Sequence, residues 1–149
     1  MKKILGRKGF TLIEVLLVIV IIAILAAIVI VAINPGRQIS QANNTQRRAD
    51  VQTILNAVHQ YSINNRGVLP AGIDGTATII GDDATEANIC ADLVPDYVAA
   101  MPFDPTATDA AYTSCAAYNT GYTINTDANG RVVVDAPSAE LSETITVTR

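Results

Sequence analysis

Glu14 directly precedes an unbroken run of 19 aliphatic residues, Val15 to Ile33, each of them Val, Leu, Ile or Ala. An ionised carboxylate beside so much hydrocarbon costs on the order of 3 kcal/mol at a membrane helix centre and less near its rim. Two readings follow: Glu14 is solvated at headgroup level, or it meets a cation inside an apolar assembly. Cys90 and Cys115 are the only cysteines. In an exported domain such a pair is most simply one disulfide closing a medium-sized loop, worth about 3 kcal/mol on the chain-entropy account. The alternative is two buried free thiols. A metal site is not expected, since two distant Cys and the single His59 supply too few soft ligands.

Enzyme chemistry finds little to work with. His59 and the scattered serines form no nucleophile–base pattern, and His59 sits beside an apolar helical stripe, where a half-buried structural role is expected. There is no phosphate loop, dinucleotide fingerprint or metal-ligand spacing. A membrane-anchored enzyme therefore ranks below a structural role.

These residues need elements to hold them. The aliphatic run spans roughly 28 Å as a helix, close to the thickness of a bilayer core. It is longer than an ordinary signal core, and Ala23, Ala26 and Ala27 lie inside it rather than after it, so the segment is expected to persist as a membrane helix. Asn34-Pro35-Gly36 interrupts the pattern, because Pro35 removes a helix hydrogen bond and Gly36 adds backbone freedom. Helical spacing then resumes: Val51, Ile54, Leu55, Val58 and Tyr61 form one stripe, with Arg48, Gln52, Asn56 and Gln60 opposite. Asn64-Asn65-Arg66-Gly67 is a stop signal, with Gly67 at the left-handed capping position. One helix, bent near Pro35, is thus predicted from about Thr11 to Arg66. Its first half needs lipid or copies of itself as a partner.

Beyond Gly67 the signals are short. Thr76–Ile80 is predicted as a strand, and Thr85–Leu93 as a short helix capped by Asp83 or Thr85. Tyr122–Thr126 and Arg131–Asp135 flank the hairpin signal Asp127-Ala128-Asn129-Gly130, and Thr144–Thr148 alternates like an edge strand. The predicted fold is α+β: a long bent N-terminal helix, membrane-spanning in its first half, packed against an antiparallel sheet of three or four strands. Four segments result: a basic leader 1–9, an apolar helix 10–34, an amphipathic helix 35–66 and a globular acidic head 67–149.

Charge follows the same division. Lys2, Lys3, Arg7 and Lys8 give the first nine residues +4, and from Gly67 onward twelve acids face only Arg131 and Arg149. The basic tip is expected on the cytoplasmic side, with the acidic head outward. A surface this acidic repels phosphate, so no nucleic acid is predicted as a partner of the head. Arg47 and Arg48 are the pair that could touch DNA if exposed in an assembly.

The leader, Gly9, Phe10-Thr11-Leu12-Ile13-Glu14 and the aliphatic run together resemble the cleavage and methylation signature of type IV prepilins. That resemblance covers about the first 35 residues. It implies that a membrane prepilin peptidase cuts between Gly9 and Phe10 and that Phe10 becomes N-methylated. It also implies an inner-membrane assembly platform and a helical homopolymer in which Glu14 acts in assembly. A weaker resemblance to pilin and pseudopilin heads lies in Tyr97, Met101-Pro102-Phe103-Asp104-Pro105 and Tyr118–Tyr122, a stretch that reads equally as a proline-stiffened loop. Pro35-Gly36, as the kink, lies just beyond the apolar run rather than within it as in some relatives.

The function so implied is a type IV pilus subunit. The alternative is a pseudopilin of a type II secretion or competence system, and a third variant is a pilin specialised for adhesion or DNA uptake. The precursor would cross the inner membrane once, surrounded by lipid, before joining an extracellular pilus or a periplasmic pseudopilus. No cofactor is expected. Major pseudopilins usually bind calcium in the head, and the candidate oxygens here are Asp104, Asp109, Asp127 and Asn129, whose spacing matches no calcium loop.

Overall fold

A computed structural model describes residues 9–149. The predicted leader 1–9 therefore lies outside the described residues apart from Gly9. The chain divides into two compact units, Met1–Gln38 and Ile39–Arg149.

In the first unit α1 spans Leu12–Ile33, 22 residues, or about 33 Å at 1.5 Å per residue. Thr11, in extended conformation, is its N-cap, and the Glu14 backbone N–H donates to the Thr11 hydroxyl at 3.3 Å. No α1 residue is buried, and the helix is the one candidate membrane span among the described residues, with mean hydropathy 3.7. Asn34 ends it in the left-handed conformation, φ 48°. The same residue starts the next helix, α2 (Pro35–Asn64): its side-chain oxygen accepts from the Arg37 N–H at 3.3 Å. Pro35 fits there because the first position of a helix has no intrahelical use for its N–H. Gly36 is an ordinary residue of α2's first turn, without positive φ.

The second unit contains the rest of α2 and everything after it. Val51, Ile54, Leu55 and Val58 are buried and join one core with Ile80, Ile89, Leu93, Tyr122, Ile124, Val132, Val134 and Ile145. At the helix end Arg66 and Gly67 both take positive φ, and the Gly67 N–H reaches back to the Ser62 carbonyl at 2.8 Å. The cap is thus shared by two residues rather than held by Gly67 alone.

The sheet is antiparallel with five strands: β1 (Thr78–Gly81), β2 (Ala111–Ser114), β3 (Ala117–Thr126), β4 (Val132–Asp135) and β5 (Thr146–Thr148). The path β1-β3-β4-β5 carries four of them. β2 pairs with the first part of β3, Ala111 opposite Asn119, while β4 pairs with its last part, Thr126 opposite Val132. Ten-residue β3 thus serves these two short neighbours along one edge and β1 along the other. β2 is the strand beyond the expected count: Ala-Tyr-Thr-Ser has no apolar alternation, and it buries no residue.

The predicted helix Thr85–Leu93 shrinks to α3, Cys90–Leu93. The Ala87 N–H donates to the Ile79 carbonyl at 2.8 Å, so residues just before α3 are tied to the sheet edge instead of to a helical turn. The Asp127–Gly130 hairpin forms as expected. Gly130 takes φ 76°, and the Asp127 carboxylate accepts from the backbone N–H groups of Asn129 and Arg131, each at 2.9 Å.

Candidate functional site

Two groups of residues carry chemistry, one in each unit. The first is the entry to α1. Thr11 and Glu14 have the Thr-x-x-Glu spacing of a capping box, and the hydroxyl half of that box is formed. An acid in the first turn also meets the positive end of the helix macrodipole. The cap thus sets where helix begins and leaves Phe10 outside it, 83% exposed. Phe10 and Glu14 line one shallow surface with Val15, Val18 and Ile19. None of the four ion pairs among the described residues involves Glu14. A Cβ placed on Gly9 would meet nothing within 4 Å.

The second group surrounds Arg47, whose side chain is fully buried. Its Nε and Nη2 donate to both oxygens of Asp104, at 2.7 and 3.0 Å. Nη1 donates to Glu140 at 2.9 Å and to the Asn44 side-chain oxygen at 2.8 Å, and Nη2 also donates to the Thr106 hydroxyl. Every direction of the guanidinium fork is used, which is the condition for burying it. Hydrogen bonding to Asp104, opposed by burial and helped by Glu140, raises the pKa of Arg47. Burial by itself would raise the Asp104 carboxyl, but Arg47 and the backbone N–H groups of Thr106 and Ala107 hold it below the usual carboxylate range.

One turn further along α2 lies Asp50, also buried, which accepts from the Tyr122 hydroxyl and the Gln46 amide, both at 2.8 Å. Burial raises its pKa, and those two hydrogen bonds only partly offset the effect. Tyr122 is pushed up in turn by burial and by the carboxylate it serves.

Glu140 belongs to the segment after β4 and is read by a polar row on α2. Its carboxylate accepts from Ser40 at 2.7 Å, Asn43 at 2.8 Å and Arg47. Its backbone carbonyl and N–H exchange hydrogen bonds with the buried Asn44 side chain, at 2.8 and 2.9 Å. Positions 40, 43, 44 and 47 form an i, i+3, i+4, i+7 row, and Val51, Ile54 and Val58 continue it into the core. The sequence pattern marked the apolar part of this face and missed the polar part. The signal was an arginine in line with an apolar stripe.

Cys90 and Cys115 are bonded, with Cα atoms 5.2 Å apart. Cys90 is buried, and the bond ties α3 to the turn between β2 and β3. Of the four residues considered for calcium, Asp127 and Asn129 share one hairpin turn, and Asp104 and Asp109 lie in the segment before β2. Asp104 is committed to Arg47, Asp127 to Arg131, while Asp109 lies in a groove with Asp82, Asp83 and Glu86. Among the described residues no group of three or more His, Cys, Asp or Glu side chains is placed to hold a metal. His59 is half-buried with its Nε2 unpaired, in a groove with Asn56, Gln60, Ile63 and Arg149 that offers no nucleophile. Of the two arginines that could touch DNA only if exposed, Arg47 is buried and Arg48 pairs with Glu143.

No curated protein and no solved structure matches the chain. Residues 5–30 do match a family model, that of the prokaryotic N-terminal methylation motif. The match ends within α1 and leaves the head untouched. With Phe10 exposed ahead of a capped apolar helix and Glu14 in its first turn, this chain carries in residues 5–30 the signature of type IV pilins and pseudopilins.

Proposed function

We propose that the chain is a structural subunit of a type IV pilus, cut between Gly9 and Phe10, methylated at Phe10 and polymerised through its N-terminal helix. The observation that carries this reading is α1: 22 residues, one acid, none buried, in a segment that matches the methylation motif. A helix apolar all round needs lipid or other helices on every side. Before assembly the partner is the bilayer. In the filament it is the same helix of neighbouring copies.

Cleavage creates a cationic amine at Phe10, one helical turn from Glu14. In an apolar filament core, the amine of one subunit is the natural partner for Glu14 of the next. A subunit shifted along the axis would leave both charges unpaired in low dielectric, so the pair sets register. The peptidase finds an unhindered glycine, and the basic leader keeps that bond at the cytoplasmic face. The role is structural and requires no cofactor, and the acidic head faces outward from the membrane.

Mass spectrometry of sheared cell-surface material tests the reading. Chains beginning at methylated Phe10 are expected. An intact Met1 terminus confined to the membrane would leave only an anchored domain. Long surface fibres on cells carrying a tagged copy support the pilus, whereas short periplasmic ones would assign the chain to a type II pseudopilus.

A further inference from the structure

Residues 137–144 leave the sheet after β4 and return to it at β5. Their ends are joined, because the Ala136 N–H donates to the Ile145 carbonyl at 2.9 Å and both residues are buried. Between these ends no residue is buried. The excursion is a compact loop with closed ends, a unit able to lift without opening the β4–β5 ladder.

Its internal conformation is strained. Leu141 and Ser142 are consecutive non-glycine residues in the left-handed region, with φ 59° and 57°. Such geometry persists only where surrounding contacts impose it. Here those contacts converge on one residue: Glu140 takes Ser40, Asn43 and Arg47 on its carboxylate and Asn44 on its backbone. The one other side-chain hydrogen bond from this loop to α2 is the exposed Arg48–Glu143 pair, of a kind that contributes little, and Ala139 adds a small apolar contact with the core.

We infer that the loop 137–144 is a two-state strap latched onto α2 by Glu140. When closed, it extends the head's grip on α2 down to Ser40. When open, the grip begins at Arg47, which Asp104 still holds, and Ser40, Asn43 and Asn44, spread over about 6 Å of helix, are uncovered. The inference concerns Ile39–Arg149 alone and does not depend on the filament reading.

Hydrogen exchange by NMR on the full chain in detergent micelles tests it. The reporters are the N–H groups of Ala139, residue 140 and Glu143, bonded to the Ala136 carbonyl, the Asn44 side chain and the Glu140 carbonyl. Glu140→Ala is expected to speed their exchange at least tenfold, while Val134 and Val147 in the sheet and Val58 in α2 keep their rates. The joint change Ser40→Ala with Asn43→Ala, at half-buried positions that leave Arg47 and Asp104 paired, should give the same local pattern with a smaller increase. Glu143→Gln should leave the rates within a factor of two. Unchanged strap rates in the first two variants, acceleration throughout the head, or an equal response to Glu143→Gln would each overturn the latch.

Discussion

Arg47 occupies the core-facing side of α2 because each of its donors has an acceptor, so its removal separates burial from pairing. Arg47→Met leaves the fully buried Asp104 without its cation, and a loss of about 3–5 kcal/mol is expected in urea unfolding of the head. Adding Asp104→Leu should recover part of that loss, since no uncompensated charge then remains. The two buried carboxylates also predict opposite pH responses. Asp104 has a depressed folded pKa, so its contribution is present above the ordinary carboxylate range and is lost as pH falls through the depressed value. Asp50 has a raised folded pKa, so its ionisation costs stability, and that cost disappears as pH falls through the raised value. Unfolding free energies measured from pH 7 to pH 3 should therefore rise initially in the wild type. Asp50→Asn should abolish that rise while changing stability at neutral pH by no more than about 1 kcal/mol. An unchanged profile would refute the assignment to Asp50.

At the scale of elements, β3 carries the loop that presents Asp104. Gly121 in β3 has φ 71°, and a Cβ there would approach the Ala107 Cβ to 2.8 Å and the Asp104 Cβ to 3.1 Å. Gly121→Ala should destabilise the head by about 1–3 kcal/mol through strain and crowding, readable as a lower urea midpoint. The Cys90–Cys115 bond closes a separation of 25 residues. Its reduction should lower stability by about 3 kcal/mol on the chain-entropy account, and melts with and without reductant give the comparison. The helices were legible because their signals are local. The 19-residue run, the Val51–Tyr61 stripe and the Asn-Pro break each lie within a few turns of chain. The helix predicted at Thr85–Leu93 forms only over Cys90–Leu93, because the Ile79 carbonyl, on a different element, claims the Ala87 N–H. No propensity within that segment contains this competition.

The whole molecule is two units with different needs. Ile39–Arg149 encloses its own core, so this portion expressed alone should unfold cooperatively in water, without detergent. A non-cooperative melt would mean that the head borrows stability from the N-terminal unit. The N-terminal unit buries none of its α1 side chains, and its function depends on what surrounds it. Glu14→Gln keeps the size and polarity of the side chain but removes the charge. Filament yield is expected to fall to background with membrane levels of the chain unchanged, and normal yield would discard the register role.

Sequence alone determined the N-terminal quarter: the motif at Gly9–Glu14, an apolar helix long enough for a bilayer, and the break at Asn34-Pro35. There the physics is carried by neighbours along one helix, and a helix with no buried residue depends on no long-range contact. Only the tertiary structure decided the role of Arg47. Its partners Asp104 and Glu140 lie 57 and 93 residues away, and only a folded sheet brings them to the face of α2. A buried ion pair needs its acceptors within hydrogen-bond reach, and helical periodicity cannot specify acceptors on other elements.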